Sequence, residues 1–151
     1  MYNCDPKWFT PKFCGPGLRY EVGVFIATGH IVWLQGPYPC GDWPDVRIAR
    51  SCLHFWLLPW EKYVSDGLYK LCRGYAMTPV RRERSHMDYV RGVVRARHES
   101  VNRRFKIFKI LSHKYRHLIE THGDVFRSVS NIVQILLENG MPMYDIEGYM
   151  E

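Results

Sequence analysis

The chain has 151 residues and is 46% hydrophobic, 24% charged and 15% aromatic. That is room for one domain-sized core, and the composition excludes a wholly disordered chain. With 21 Lys+Arg against 15 Asp+Glu the net charge is +6. No apolar run approaches the roughly 18 residues of a membrane span, and the first residues lack the basic and apolar regions of a secretory signal. A secreted or membrane-spanning protein is therefore not expected. The five cysteines are an odd number with no Cys-x-x-Cys pair. They read as reduced thiols of an intracellular protein, and their spacing offers no zinc ribbon.

Residues 2–17 are rich in Pro, Lys, Gly and aromatics and predict an irregular arm. Residues 18–27 have β-branched and aromatic character and stop at Thr28 and Gly29. A second run over 30–35 stops at Gly36 and Pro37. Two short strands around a glycine turn predict a hairpin. Pro37, Pro39, Gly41 and Pro44 then mark a loop. Asp45 is placed to cap a helix carrying Val46, Ile48, Ala49, Cys52, Leu53, Phe55, Trp56 and Leu57, with Pro59 as its stop. Residues 62–65 predict a short strand running into a turn at Asp66 and Gly67, and 70–88 are basic without a period, hence a loop.

A helical pattern covers 89–114. Val94, Val101, Phe105 and Phe108 fall near one face, and Glu99, Asn102, Arg103, Lys106 and Lys109 on another. A second amphipathic helix follows His122, Gly123 and Asp124 and ends at Asn139 and Gly140. The expected organisation is an arm over 1–17, one α/β domain over 18–139 and a loosely held tail over 140–151. Its strands would make a narrow three-strand sheet with exposed edges.

Charge is concentrated. Residues 70–116 hold 14 basic and 3 acidic residues, an excess of 11 positive charges, while the rest of the chain is net negative. Such a field attracts polyanions by phosphate neutralisation and counterion release; a solvated basic helix with no partner is the plain alternative. Two acids stand out. Asp66 follows a strand, at the end where α/β sheets bind ligands. Glu99 sits among Arg95, Arg97, Asn102, Arg103 and Lys106. It reads either as an ion-pair partner for Arg95 or Arg103 at helical spacing, or as a carboxylate helping to hold a divalent cation while its neighbours hold phosphates. Asp45 is most simply a helix cap. His113 and His117 have the spacing of a helical zinc pair, but no glutamate or cysteine supports them.

Four blocks in order resemble the Harbinger-like DDE superfamily of endonucleases and transposases. The first spans 7–22, with Trp8, Phe9, Thr10 and Pro11, then Gly15, Pro16 and Gly17. The second spans 29–45, through His30, Trp33, Gly36, Pro37, Gly41, Asp42, Trp43 and Pro44. The third is the turn at Asp66, Gly67, Leu68 and Tyr69, and the fourth, the strongest, spans 95–106. The resemblance implies an RNase H-like fold of hairpin and strand packed with C-terminal helices, its first catalytic strand missing. It also implies metal-dependent cleavage of DNA with Mg²⁺ or Mn²⁺ by a two-metal mechanism. On this resemblance Asp66 and Glu99 are catalytic residues and metal ligands, and Arg95, Arg97, Asn102, Arg103, Lys106 and Lys109 contact DNA. The family's first acid lies upstream of the first block, and the turn lacks the residue the family places between Asp and Gly. Impaired turnover is therefore expected. The alternatives are a non-catalytic DNA-binding or interaction module that keeps the basic helix, and an inactive remnant. The implied location is the nucleus, or else the cytoplasm. The implied partner is DNA, with room for a protein that supplies DNA-sequence specificity.

Overall fold

A computed structural model describes residues 5–65, 69, 72, 74–77 and 86–144. It is a mixed helix and strand protein, as the α/β expectation requires. The chain divides into two compact units. The first is made of residues 1–21 and 34–78, the second of 22–33 and 79–151.

The first unit opens with a 3-10 turn, Pro6–Trp8, capped by Asp5, whose Oδ1 accepts the Lys7 N–H at 3.0 Å. Strands β1 (Phe9–Thr10) and β2 (Gly15–Pro16) then pair antiparallel, with Phe9 opposite Pro16. The arm predicted to be irregular is thus ordered over its described part. It is also tied down: Gly17 N–H donates to Trp8 O at 2.8 Å, Cys40 N–H to Gly17 O at 3.1 Å and Gly41 N–H to Lys7 O at 2.8 Å. Gly41 lies so close to the arm that a Cβ there would run into the carbonyl oxygens of Pro6 and Lys7. Gly41→Ala is expected to destabilise this unit by about 2–3 kcal/mol, because the obstacle is backbone and cannot swing away. Urea unfolding checks this, and an unchanged midpoint contradicts it.

Strands β3 (Leu18–Val24) and β4 (Ile31–Pro39) form the predicted hairpin. A connection this short admits only an antiparallel pair. β4 does not stop at Gly36 but runs on through Pro37 and Pro39. Both strands of a two-stranded sheet are edges, and an edge tolerates a missing N–H. Gly36 has φ of +123°, and a Cβ there would strike Arg19 O and Tyr20. The glycine read as a terminator is therefore the residue that lets the strand continue past a tight approach.

Helix α1 (Asp45–Ser51) buries Ile48 and Ala49 completely. Its N-cap is Pro44, with no side-chain cap bond. Asp45 is the first helical residue rather than the cap expected of it. Its Oδ1 lies 3.3 Å from Arg19 Nε, and Arg19 also donates to Trp43 O at 2.9 Å. A carboxylate in the first turn still favours the helix dipole. α1 ends at Cys52, short of the predicted Leu57. There the Cys52 Sγ sits 3.2 Å from the Tyr38 hydroxyl and 3.5 Å from Gln35 Nε2. A 3-10 turn follows (Leu53–Phe55), and Phe55 and Trp56 stay largely exposed. Strand β5 (Tyr63–Val64) forms where predicted, but it pairs in parallel with an unexpected β6 (Ala76–Met77) rather than with the hairpin. The described strands make three separate two-stranded sheets, not one three-strand sheet. The His54 imidazole lies over the Tyr75 ring, centroids 4.2 Å apart, and its Nε2 lies 3.0 Å from the Tyr63 hydroxyl.

The second unit is built on α2 (His86–Ile107) and α4 (His122–Glu138). α4 buries Phe126, Val129, Ser130, Val133 and Leu137, a 3.6-residue period. α2 buries Val90, Arg97, Val101 and Phe105, and the Phe105 and Phe126 rings stack with centroids 5.1 Å apart. The single helix predicted over 89–114 breaks at Phe108, whose ψ is 110°, and resumes as α3 (Lys109–Ser112). Beyond α4, Gly140 takes φ of +144° and the chain turns back. Arg104 donates to Met141 O and Pro142 O, Met143 is buried, and the Tyr144 hydroxyl donates to Val93 O at 3.2 Å. The start of the tail is docked rather than loose, and 145–151 lie outside the described residues. Among the described residues no helix is long and apolar enough to cross a membrane.

Candidate nucleic-acid interface

α2 sorts its polar residues by angle. At about 100° per residue, Glu99, Arg103 and Lys106 share the outer face, and all three are exposed. Lys109 follows, exposed, at the start of α3. The chain between Glu99 and Glu120 carries Arg103, Arg104, Lys106, Lys109, Lys114 and Arg116 and no acid. Lys114 and Arg116 are exposed as well. Among the described residues, none of the five exposed cations lies within ion-pair distance of a carboxylate. Lys106 also stands in the last turn of α2, where the helix dipole favours positive charge. The result is a run of outward cations free to neutralise phosphates, the contact that releases counterions from a nucleic acid.

Three of the six residues expected at DNA are buried or half-buried, and two of these make hydrogen bonds within the protein. Arg97 is only 2% exposed, and its Nη1 donates to the carbonyls of Ile26 and Ala27 in the hairpin turn. Arg97 is thus turned into the protein, where it fastens the turn to α2, and is not among the outward cations. Asn102 is half-buried on the flank of the outer face, its Nδ2 3.4 Å from His98 Nδ1. His98 Nε2 lies 3.0 Å from Val22 O. A carbonyl only accepts, so His98 is protonated at Nε2 and takes the Asn102 N–H at Nδ1. Asn102 thus orients a tether. Arg95 is half-buried, and its Nε is enclosed without a hydrogen-bond partner. Arg103, Lys106 and Lys109 remain outward. Lys114 and Arg116, which the sequence reading did not single out, are outward too and belong to the acid-free run from 100 to 119.

The metal expectation has a harder test. Asp66 lies outside the described residues. Glu99 is exposed, and no ion pair joins it to Arg95 or Arg103. A Mg²⁺ or Mn²⁺ site needs carboxylates converging with other oxygen donors. Among the described residues no group of three His, Cys, Asp or Glu comes together. Of the two expected ligands only Glu99 is described, and one exposed carboxylate by itself does not make up a divalent-ion site. The zinc reading meets the same limit. His113 caps the end of α3, and His117 lies beyond it in irregular chain, so the two do not share a helix face.

Past α3 the chain is held by Tyr115. Its hydroxyl is 2.7 Å from Thr121 Oγ1, which in turn donates to Leu118 O at 2.8 Å. The Tyr115 ring meets His122 edge-on, centroids 4.6 Å apart. Burial there pushes the His122 pKa below its ordinary 6.5, and burial does the same to His54 in the first unit. Desolvation penalises the charged imidazole in the folded chain only, so the unfolded chain takes up the proton first as pH falls. Stability from these groups is complete above pH 6.5 and declines below it. We expect Tm to drop between pH 7.5 and 5.5, and His122→Asn to flatten part of that decline. A Tm constant over this interval contradicts the assignment. No family model, no characterised protein and no solved structure matches this chain.

Proposed function

We propose that this chain is a non-catalytic DNA-binding module. Its contact surface is the outer face at the end of α2, continued through α3 and the segment after it. The observation that carries this reading is the set of five exposed cations Arg103, Lys106, Lys109, Lys114 and Arg116, in a stretch without a single acid. The ordered resemblance to DDE endonucleases supports DNA over other polyanions. In this reading the chain is the DNA-holding part of an RNase H-like nuclease domain, working in the nucleus.

Binding is to phosphate, so it carries little sequence preference of its own. A partner protein would supply the target sequence. The test is fluorescence anisotropy with a labelled duplex of about 20 base pairs. Saturable binding at 50 mM salt that is lost by 500 mM is expected, since counterion release steepens with each phosphate contact. Absence of binding at 50 mM salt contradicts the proposal.

A further inference from the structure

Arg116, one of the five outward cations, lines an open cleft of about 720 Å³ that lies wholly within the second unit. Ile110, Leu118 and Val125 form its apolar wall, and Tyr115, Arg116, His117 and Thr121 complete it. Its occupant should be flat, largely apolar and joined to negative charge.

We propose that this cleft receives an unpaired nucleobase of the bound DNA, a step that rests on the DNA-binding reading above. Three observations converge on that ligand. The apolar wall is open: Leu118 is 72% exposed and Ile110 38%. What sets these two apart from other exposed apolar side chains is that they line one concave site together with Val125. The aromatic lining is fixed in place, because the Tyr115 hydroxyl is held by Thr121 and its ring makes tilted contacts with His122 and His117, centroids 4.6 and 5.3 Å apart. A ring that is already ordered loses little freedom when a base stacks on it. The charges match as well. Lys109, Lys114 and Arg116 lie in or beside the cleft in sequence and outnumber the nearby acids, Glu120, which is exposed, and Asp124, which Arg127 engages at 3.2 Å. A lipid tail or an apolar peptide would use the wall but not the cations. A duplex without an unpaired base would use the cations but not the wall.

The experiment compares a blunt duplex of about 20 base pairs with the same duplex carrying one unpaired 2-aminopurine at its 3′ end. Stacking on an aromatic site predicts binding of the overhang about tenfold tighter than the blunt duplex, with quenched 2-aminopurine fluorescence. Leu118→Gln together with Ile110→Gln changes two exposed side chains and no charge. It is expected to erase the preference and the quenching while leaving blunt-duplex affinity within twofold. Equal affinity for both duplexes overturns the cleft proposal and leaves the phosphate-binding reading standing. A preference that survives the double variant also overturns it. Failure to bind either duplex removes the DNA reading and the cleft proposal together.

Discussion

Replacing Arg103, Lys106 and Lys109 together with glutamine is expected to weaken DNA binding about 500-fold at 0.1 M salt. Each phosphate contact contributes about 0.9 to the slope of log affinity against log salt, which amounts to roughly 1.2 kcal/mol per contact at that concentration. Three contacts give about 3.6 kcal/mol. The substitutions leave the fold intact: all three side chains are exposed, and among the described residues none of them makes an ion pair. Tm should therefore move by less than about 2 °C, within the usual range for surface changes. A loss of affinity under threefold, with the fold unchanged, would move the DNA contact away from this face.

The second large effect has the opposite signature. Arg97→Ala is expected to cost about 3 kcal/mol of stability, or a fall in Tm of about 6–12 °C for a chain this long. The substitution leaves the carbonyls of Ile26 and Ala27 without the donor they share and opens a hole between the hairpin turn and α2. It also removes the cation from its place 5.8 Å from the centre of the Tyr144 ring. Relief of a buried charge offsets part of this, which holds the estimate below the sum of the separate losses. DNA affinity per folded molecule should not change. Thermal denaturation and anisotropy on the same samples separate the two. A variant with unchanged Tm and weakened DNA binding would return Arg97 to the interface.

These two arginines, six residues apart on one helix, show how far the sequence could be read. Arg97 and Glu99 differ by about 200° around α2, so Arg97 belongs with Val90, Val101 and Phe105 on the buried side. The angle was available in the pattern, but the charge argued against burial. What overrode the charge was two carbonyls from a turn about 70 residues earlier, a partner no local window contains. α4 was legible for the opposite reason. Its burial is set by its own period and its end by Asn139 and Gly140, both local signals.

The hairpin was legible in kind but not in length. Gly36 and Pro37 carry the chemistry of a stop, and only the approach of Arg19 and Tyr20 makes a glycine necessary for continuing there. Asp45 was legible as an acid at a helix start, yet the choice between cap and first turn depends on the backbone of Pro44. β6 could not be read at all, because a two-residue strand has no period and exists through its pairing with β5. At the candidate site, the outward cations followed from helix geometry. The cleft arises from the break at Phe108 and the course of the chain after it, which periodicity does not encode.

The most direct test is the salt dependence of duplex binding by the unmodified chain, measured as log affinity against log salt between 50 and 300 mM. Contacts by Arg103, Lys106, Lys109, Lys114 and Arg116 predict a slope of about −4.5. A slope near zero, or no measurable binding at the lowest salt, would contradict phosphate recognition by this face.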